Sequence, residues 1–264
     1  MKQYQLNLLS VPREKAYLGD VYIREGNNKR FAHPSHISSY LEGQFEMPSP
    51  MTDEKFGNDI CSATSDEIDA NIGLEFLEGF LNVLSGGSFG TKVRAYFNEK
   101  GAQKMSFNFA DAIRDSVQPE LLRRELDRYH LNEVSSLSEE GRRYYVVTGL
   151  AKSHSISIIA EGDNQKRLDI DVQAVGITNI SSDVTIKKAQ EGKIIFNGKE
   201  RLVFGIELFE LEYNHITRRF KLKQTDEVFK VREAGGRELI RTRKVLQPVL
   251  IENEDHDEGF ITVE

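Results

Sequence analysis

Tryptophan is absent from the 264 residues, and cysteine occurs once, at Cys61. A single thiol excludes an internal disulfide and a cysteine-rich zinc site. No apolar run reaches the roughly 18 residues that a membrane-spanning helix needs. The opening stretch MKQYQLNLLSVPRE has too short an apolar core for a secretion signal, and Pro12 interrupts it. A soluble, cytoplasmic chain is therefore expected. Cations are the minority charge, 35 Lys and Arg against 42 Asp and Glu, giving a net charge of −7. That balance argues against bulk nucleic-acid binding. There is no repeat and no low-complexity tract.

Catalytic patterns are missing too. No serine sits in a G-x-S-x-G turn. His33 and His36 are three apart, with no carboxylate or third ligand at metal spacing, and read as surface histidines. His130, His154, His215 and His256 are isolated, and Cys61 has no neighbouring base. Asp169 and Asp171 share one strand face, which a glycosidase needs but a solvated strand also provides. Gly86-Gly87-Ser88-Phe89-Gly90 follows a helix pattern, whereas a phosphate-cradling loop precedes one. No enzyme, metal or cofactor site is expected.

What is present is periodic apolar patterning. Residues 144–150 are β-branched and aromatic, 153–160 alternate, and 167–173 alternate again, with turn chemistry at 161–164. These read as three strands, the last two a hairpin. Residues 91–99 and 103–110 read as a second hairpin, Val93, Ala95 and Phe97 facing Met105, Phe107 and Phe109. Residues 4–11 read as a strand ending at Pro12, and 20–24 as another. Residues 33–64 read as loop-rich, and 71–84 as a helix striped by Ile72, Phe76, Phe80 and Leu84. A charged helix is expected at 119–131. Strands are expected at 184–187, 193–196 and 201–212, with Asn197-Gly198 as a hairpin turn, and a strand pair at 220–231. Helices mainly before residue 144 and strands mainly after it indicate an α+β fold around a twisted, mostly antiparallel sheet with peripheral helices.

Several of these stretches carry a family resemblance. YYVVTGLAKSHSISIIAEGDNQKRLDIDVQAV holds T-x-x-x-K-S, S-I-x-I-x-A and an acidic-glycine turn; GKIIFNGKERLVFGIELFELEY holds L-x-F-G; YQLNLLSVPRE opens the chain. Together they resemble the bacterial branch of the gasdermin family over nearly the whole chain. The resemblance implies a gasdermin N-terminal-domain-like fold and a pore former released by proteolysis, acting in antiphage defence through cell death. It implies an activating protease, membrane lipids and self-association as partners, with no nucleic acid. The chain would be cytoplasmic while inhibited, a monomer, and at the inner membrane as a large ring once active. The family usually carries an acylated cysteine within its first residues. MKQYQL has none, and that role is not given to Cys61.

On alternation alone the hairpins read as half-buried sheet; the resemblance turns them into candidate membrane strands. The strands are seven to nine residues long, close to the ~9–11 of a tilted spanning strand. Their lipid face would be Val93, Ala95, Phe97, Met105, Phe107, Phe109, Ile156, Ile158, Leu168, Ile170 and Val172. The expected domains are a pore-forming part at 1–235, a protease-sensitive linker at 236–246 and an inhibitory tail at 247–264. Arg241, Arg243, Lys244 and Leu246 offer cleavage positions, and Val249, Leu250, Ile251, Phe260 and Ile261 offer apolar anchors. Residues 252–264 hold six carboxylates and no Lys or Arg, so their loss moves the charge from −7 to −7 + 6 = −1. The alternative is a soluble α+β binding module with an ordinary exposed terminus.

Overall fold

The computed structural model describes residues 6–13, 15–25, 30–56, 68–85, 87–109, 111–132, 142–163, 167–168, 185–188, 193–214, 216–232, 238–251 and 260–263. Cys61, Asp169, Ile170, Asp171, Val172, His215 and His256 lie outside that set. The fold is α+β, as expected: among the described residues there are a mostly antiparallel twelve-stranded sheet, a separate two-stranded one, and three α-helices.

The N-terminal part supplies β1 (Asn7–Arg13), β2 (Asp20–Glu25), β3 (Arg30–His36), a 3-10 turn at Ile37–Ser39, β4 (Met51–Asp53) and β5 (Ile68–Asp69). β1 runs through Pro12 rather than ending there, and part of the span read as loop is strand. Helix α1 (Ala70–Ser85) matches its apolar stripe: Leu74, Leu77, Phe80, Leu81 and Leu84 are all buried. Next come α2 (Phe89–Glu99), β6 (Lys104–Asn108), β7 (Ile113–Ser116) and α3 (Pro119–Leu126).

Residues 91–99 are thus helix, not strand. Val93 and Phe97 are four apart and buried, while Ala95 is exposed, so the helical period describes them. The tertiary reason is α1. Gly90 lies so close to it that an added Cβ would stand 2.1 Å from the Glu78 carbonyl oxygen. Asn82 Oδ1 accepts the Gly90 N–H at 2.7 Å, and Glu78 accepts from Thr91 Oγ1 at 2.8 Å and Arg94 at 2.7 Å.

Two long strands form the spine. β8 (Arg142–Glu161) joins the two segments read as separate strands, and β10 (Ile194–Asn214) does the same for its half of the pattern. They pair antiparallel from Ile194↔Ile158 to Leu211↔Tyr144, with register shifts. Asn197-Gly198 is therefore no hairpin turn; the register jumps there from Asn197↔Ser155 to Leu202↔Ser153, a bulge that bends the strand without ending it. Gly198 leaves room for Leu84 of α1, since a Cβ there would stand 2.0 Å from Leu84 Cδ1 and force that side chain to shift. β9 (Thr185–Lys188) and β11 (Arg219–Leu222) flank β10.

β12 (Gln224–Arg232) and β13 (Glu238–Leu246) form the separate ribbon, in register from Gln224↔Leu246 to Arg232↔Glu238. Most of the span read as a linker is thus a paired strand. β14 (Phe260–Val263) pairs parallel with β1 on one side and with β3 on the other.

These pairings close a ring. β10 pairs β1, β1 pairs β14, β14 pairs β3, β3 pairs β2, β2 pairs β8, and β8 returns to β10. One buried cluster draws Leu9, Tyr22, Phe31, Tyr145, Val147, Ile206 and Leu208 from the other five staves, which places it inside. Their sequence neighbours point outward: Val21, Tyr144, Val146, Phe209 and Leu211 pack with Leu122 and Leu126 of α3. A barrel is how a sheet loses its raw edges, and here β14 supplies the last stave.

Candidate functional site

Two features stand apart from ordinary packing: the way the C-terminal segment is held, and the helix that covers the far part of β8.

The segment after β13 crosses to the end of the ring where β1 begins. Val249 N–H donates to Leu208 O at 2.8 Å. Asn7 then reads the chain with both ends of its carboxamide. Its Nδ2 donates to Val249 O at 2.8 Å, and its Oδ1 accepts Ile251 N–H at 2.8 Å. Asn7 is 0% exposed and Ile251 2%. A buried amide is costly unless satisfied, and the tail backbone satisfies it in the donor–acceptor pattern of a neighbouring strand. Ile251 enters the ring's cluster, and Val249 packs on it. Further on, Phe260 and Ile261 pair with Leu8 and Leu9, and Thr262 and Val263 with Arg30 and Phe31. The tail is therefore tied at both ends to β1.

The positions proposed for cleavage lie on the ribbon. Arg241 pairs with Phe229, Lys244 with Asp226, and Arg243 with Glu227, whose carboxylate accepts from Arg243 Nε at 2.6 Å. Leu246 ends β13, half-buried against the α3-side cluster. Residues 247–250 continue without regular structure, and Leu250 is half-buried. Phe260 and Ile261 are placed here by backbone pairing alone.

Of the positions proposed to face lipid, Ile156 and Ile158 are 0% exposed, beneath α1. Phe76 and Phe80 of α1 pack on Phe109, which stacks on Phe204 at 3.9 Å. Val93, Phe97 and Met105 belong to the same cluster, with Phe107 and Leu168 partly buried at its margin. Leu168 N–H donates to Ala160 O at 2.8 Å, folding the chain back as the turn chemistry at 161–164 indicates. Ala95 stands outside on the exposed side of α2.

The charged groups act as struts. Arg94 and Thr91 hydrogen-bond Glu78 and hold its carboxyl below the usual range, tying α2 to α1. Burial pushes Asp115 up, but Lys152, at 2.7 Å, and Thr52, at 2.6 Å, outweigh it and leave its carboxyl lowered. Glu207, nearly buried, accepts from Thr148 Oγ1 at 2.9 Å and from Arg114. Ser153 Oγ and His154 Nδ1 both meet Asp111. Acyl transfer needs histidine between nucleophile and carboxylate; here the carboxylate stands between. His36 is a local brace, with Nδ1 2.8 Å from Ser38 Oγ and Nε2 3.1 Å from Leu18 O.

Among the described residues no group of His, Cys, Asp or Glu is placed to hold a metal ion. No described helix is long and apolar enough to cross a membrane, which says nothing of strands. Sequence reasoning missed Asn7 and the covering role of α1. The signal for Asn7 was there, a lone carboxamide within Leu6-Asn7-Leu8-Leu9.

Comparison with known proteins places this geometry. The model of the Bacterial Gasdermin Family matches residues 9–226. The chain is 23% identical over 218 residues to a gasdermin of Lysobacter enzymogenes, covering 80% of this chain and 78% of that one. It is 19% identical over 244 residues to a gasdermin of Gillisia limnaea, covering 88% and 87%. The solved structure of a bacterial gasdermin from Bradyrhizobium tropiciagri superposes with a TM-score of 0.62 at 16% identity, over 99% of this chain and 93% of that one.

Proposed function

Since the chain belongs to the bacterial gasdermin family, a family of pore formers, we propose that its own tail holds it inactive and that proteolysis releases it. The observation that carries this reading is β14, the stave that joins β1 to β3. The family match stops at residue 226, so the tail is argued from its own contacts. Loss of 247–264 removes the Asn7 contacts and leaves two facing strand edges unpaired. Raw edges seek new partners, and another subunit offers them.

The membrane step follows from the bilayer's lack of hydrogen-bonding groups. A lone hairpin cannot enter lipid with its edge N–H and C=O groups unpaired, so subunits must close a ring of strands together. The lipid face then includes Ile156 and Ile158, which requires α1 and α2 to lift off and residues 91–99 to become strand. Leu246 is the preferred cleavage position. Arg241, Arg243 and Lys244 are paired inside the ribbon, whereas Leu246, paired with Gln224, is its last residue and the chain past it has no regular structure to resist a protease. The partners are a protease, membrane lipid and further copies of the chain. The inhibited form is cytoplasmic and the active form sits in the inner membrane. The biological outcome is cell death in antiphage defence.

The test is dye release from lipid vesicles by the full chain carrying a protease site inserted after Leu246, before and after cutting. Release is expected only after cutting. A cut, folded chain that stays silent on several lipid compositions sinks the proposal.

A further inference from the structure

The turn between β10 and β11 presents one apolar side chain almost wholly to water. Ile216 is 94% exposed, the highest value among the exposed large hydrophobic residues described. A loose loop would make this unremarkable. Residues 216–218 are held in place instead. Asn214 Oδ1 accepts the N–H groups of Ile216 at 3.0 Å and Thr217 at 2.9 Å. Thr217 O lies 3.1 Å from His130 Nδ1. Arg218 O accepts Leu131 N–H at 2.8 Å, and Arg218 Nη2 donates to Leu131 O at 3.2 Å.

Arg218 has φ 51°, the one positive-φ residue other than glycine among those described. A long side chain in that region is held there by its surroundings. The fold thus spends backbone strain and a set of hydrogen bonds on a rigid convex tip with isoleucine at its end.

Cations surround it. Arg218 and Lys221 are exposed, and Arg219 Nη2 lies 3.1 Å from His130 Nε2. Exposed Glu212 pairs directly opposite Lys221, but residues 216–221 themselves carry three cations and no carboxylate in a chain of net charge −7. One apolar side chain on a convex tip is a poor protein interface, which needs about 800 Å² of complementary surface per partner. It suits a bilayer, where an apolar group enters the headgroup boundary and cations meet lipid phosphate.

We infer that the β10–β11 turn is a preformed docking contact for an anionic lipid surface, with Ile216 inserting and Arg218 and Lys221 against phosphate. The pore-forming reading enters only in the choice of a membrane as partner. The contact is already exposed in the uncut chain, so a reversible docking from the cytoplasm, without insertion of strands, precedes release.

The absence of tryptophan makes the test direct. Ile216→Trp in the full chain is the sole indole, at a position where substitution disturbs no packing. Its emission should shift to the blue, and be quenched by brominated lipid, on vesicles of phosphatidylcholine with phosphatidylglycerol, but not on phosphatidylcholine alone. In co-sedimentation, Arg218→Asn, which tolerates the backbone angle, and Lys221→Gln should each lower binding about fivefold. Ile216→Asp should lower it about tenfold or more. An unchanged emission on every vesicle overturns the inference and points to a protein partner instead. An equal shift on neutral vesicles overturns it as stated. Leakage is not read, so a chain that docks but never permeabilises supports docking and counts only against the pore.

Discussion

β8 passes through two regions that are held in different ways. Its first part, paired with β2, is a stave of the closed ring; its last part, paired with β6, lies under α1. Ring closure depends on directional backbone bonds and the Asn7 carboxamide, whereas the cover depends on aromatic and aliphatic contact. Backbone closure is close to all-or-none, because a four-residue parallel strand is either in register on both sides or gone. Side-chain cover is graded, since each ring or methyl contributes its own increment. A switch is better placed in the first kind of cohesion, and a stability reserve in the second.

The strongest way to break this contrast is to remove the stave alone. A full-length chain and one stopped at Ile251 differ by β14 and the acidic stretch before it. The shorter chain should release dye from anionic vesicles without any protease, while the longer one stays silent. Silence from both would move the restraint away from β14.

Phe80→Ala tests the covered region. It should cost about 3–5 kcal/mol, read as a lower denaturant midpoint. Leakage should stay absent below the new melting point, because the ring remains closed. Leakage from that folded variant would assign the restraint to α1 and reverse the comparison.

Asn7→Leu sharpens the comparison within the ring. It deletes the donor and the acceptor that meet Val249 O and Ile251 N–H. Each group left buried and unpaired costs about 1–3 kcal/mol. The expected result is faster amide exchange at Ile251 and slow spontaneous leakage. Normal exchange protection there would mean that the carboxamide is a bystander.

The smallest effect is electrostatic and belongs to the cover. Arg94 and Thr91 depress Glu78. A carboxyl lowered by folding contributes stability that is full above its unfolded value, near 4. That contribution is lost as pH falls through the folded value. Glu78→Gln should therefore lower the melting temperature slightly at neutral pH, change little in acid where Glu78 is protonated anyway, and so flatten the acid-side fall. An unaltered acid slope would show that Glu78 does not join α2 to α1 in solution.

Local pattern made one region legible and left the other dark. The stripe of α1 and the β-branched runs of β8 and β10 are visible because neighbours in sequence share a face. Continuity across the bulges was not, because Asn197-Gly198 carries the same chemistry whether it turns or bulges. Val93, Ala95 and Phe97 misled because residues four apart satisfy the helical and the strand period alike; only Ala95, exposed, separates them. The tail's apolar residues are visible in the sequence. Their parallel insertion was not, since pairing Leu8 with Phe260 leaves no local signature.

β14 is also synthesised after every strand it joins. Translation proceeds at about 5–20 residues per second, so β1 leaves the ribosome on the order of ten seconds or more before its partner exists. Throughout that interval the nascent chain lacks the stave. If the tail is the restraint, safety comes only after the other staves have been made, and a message cut short before β14 encodes an unrestrained protein. The order of synthesis then makes protein quality control part of the inhibition.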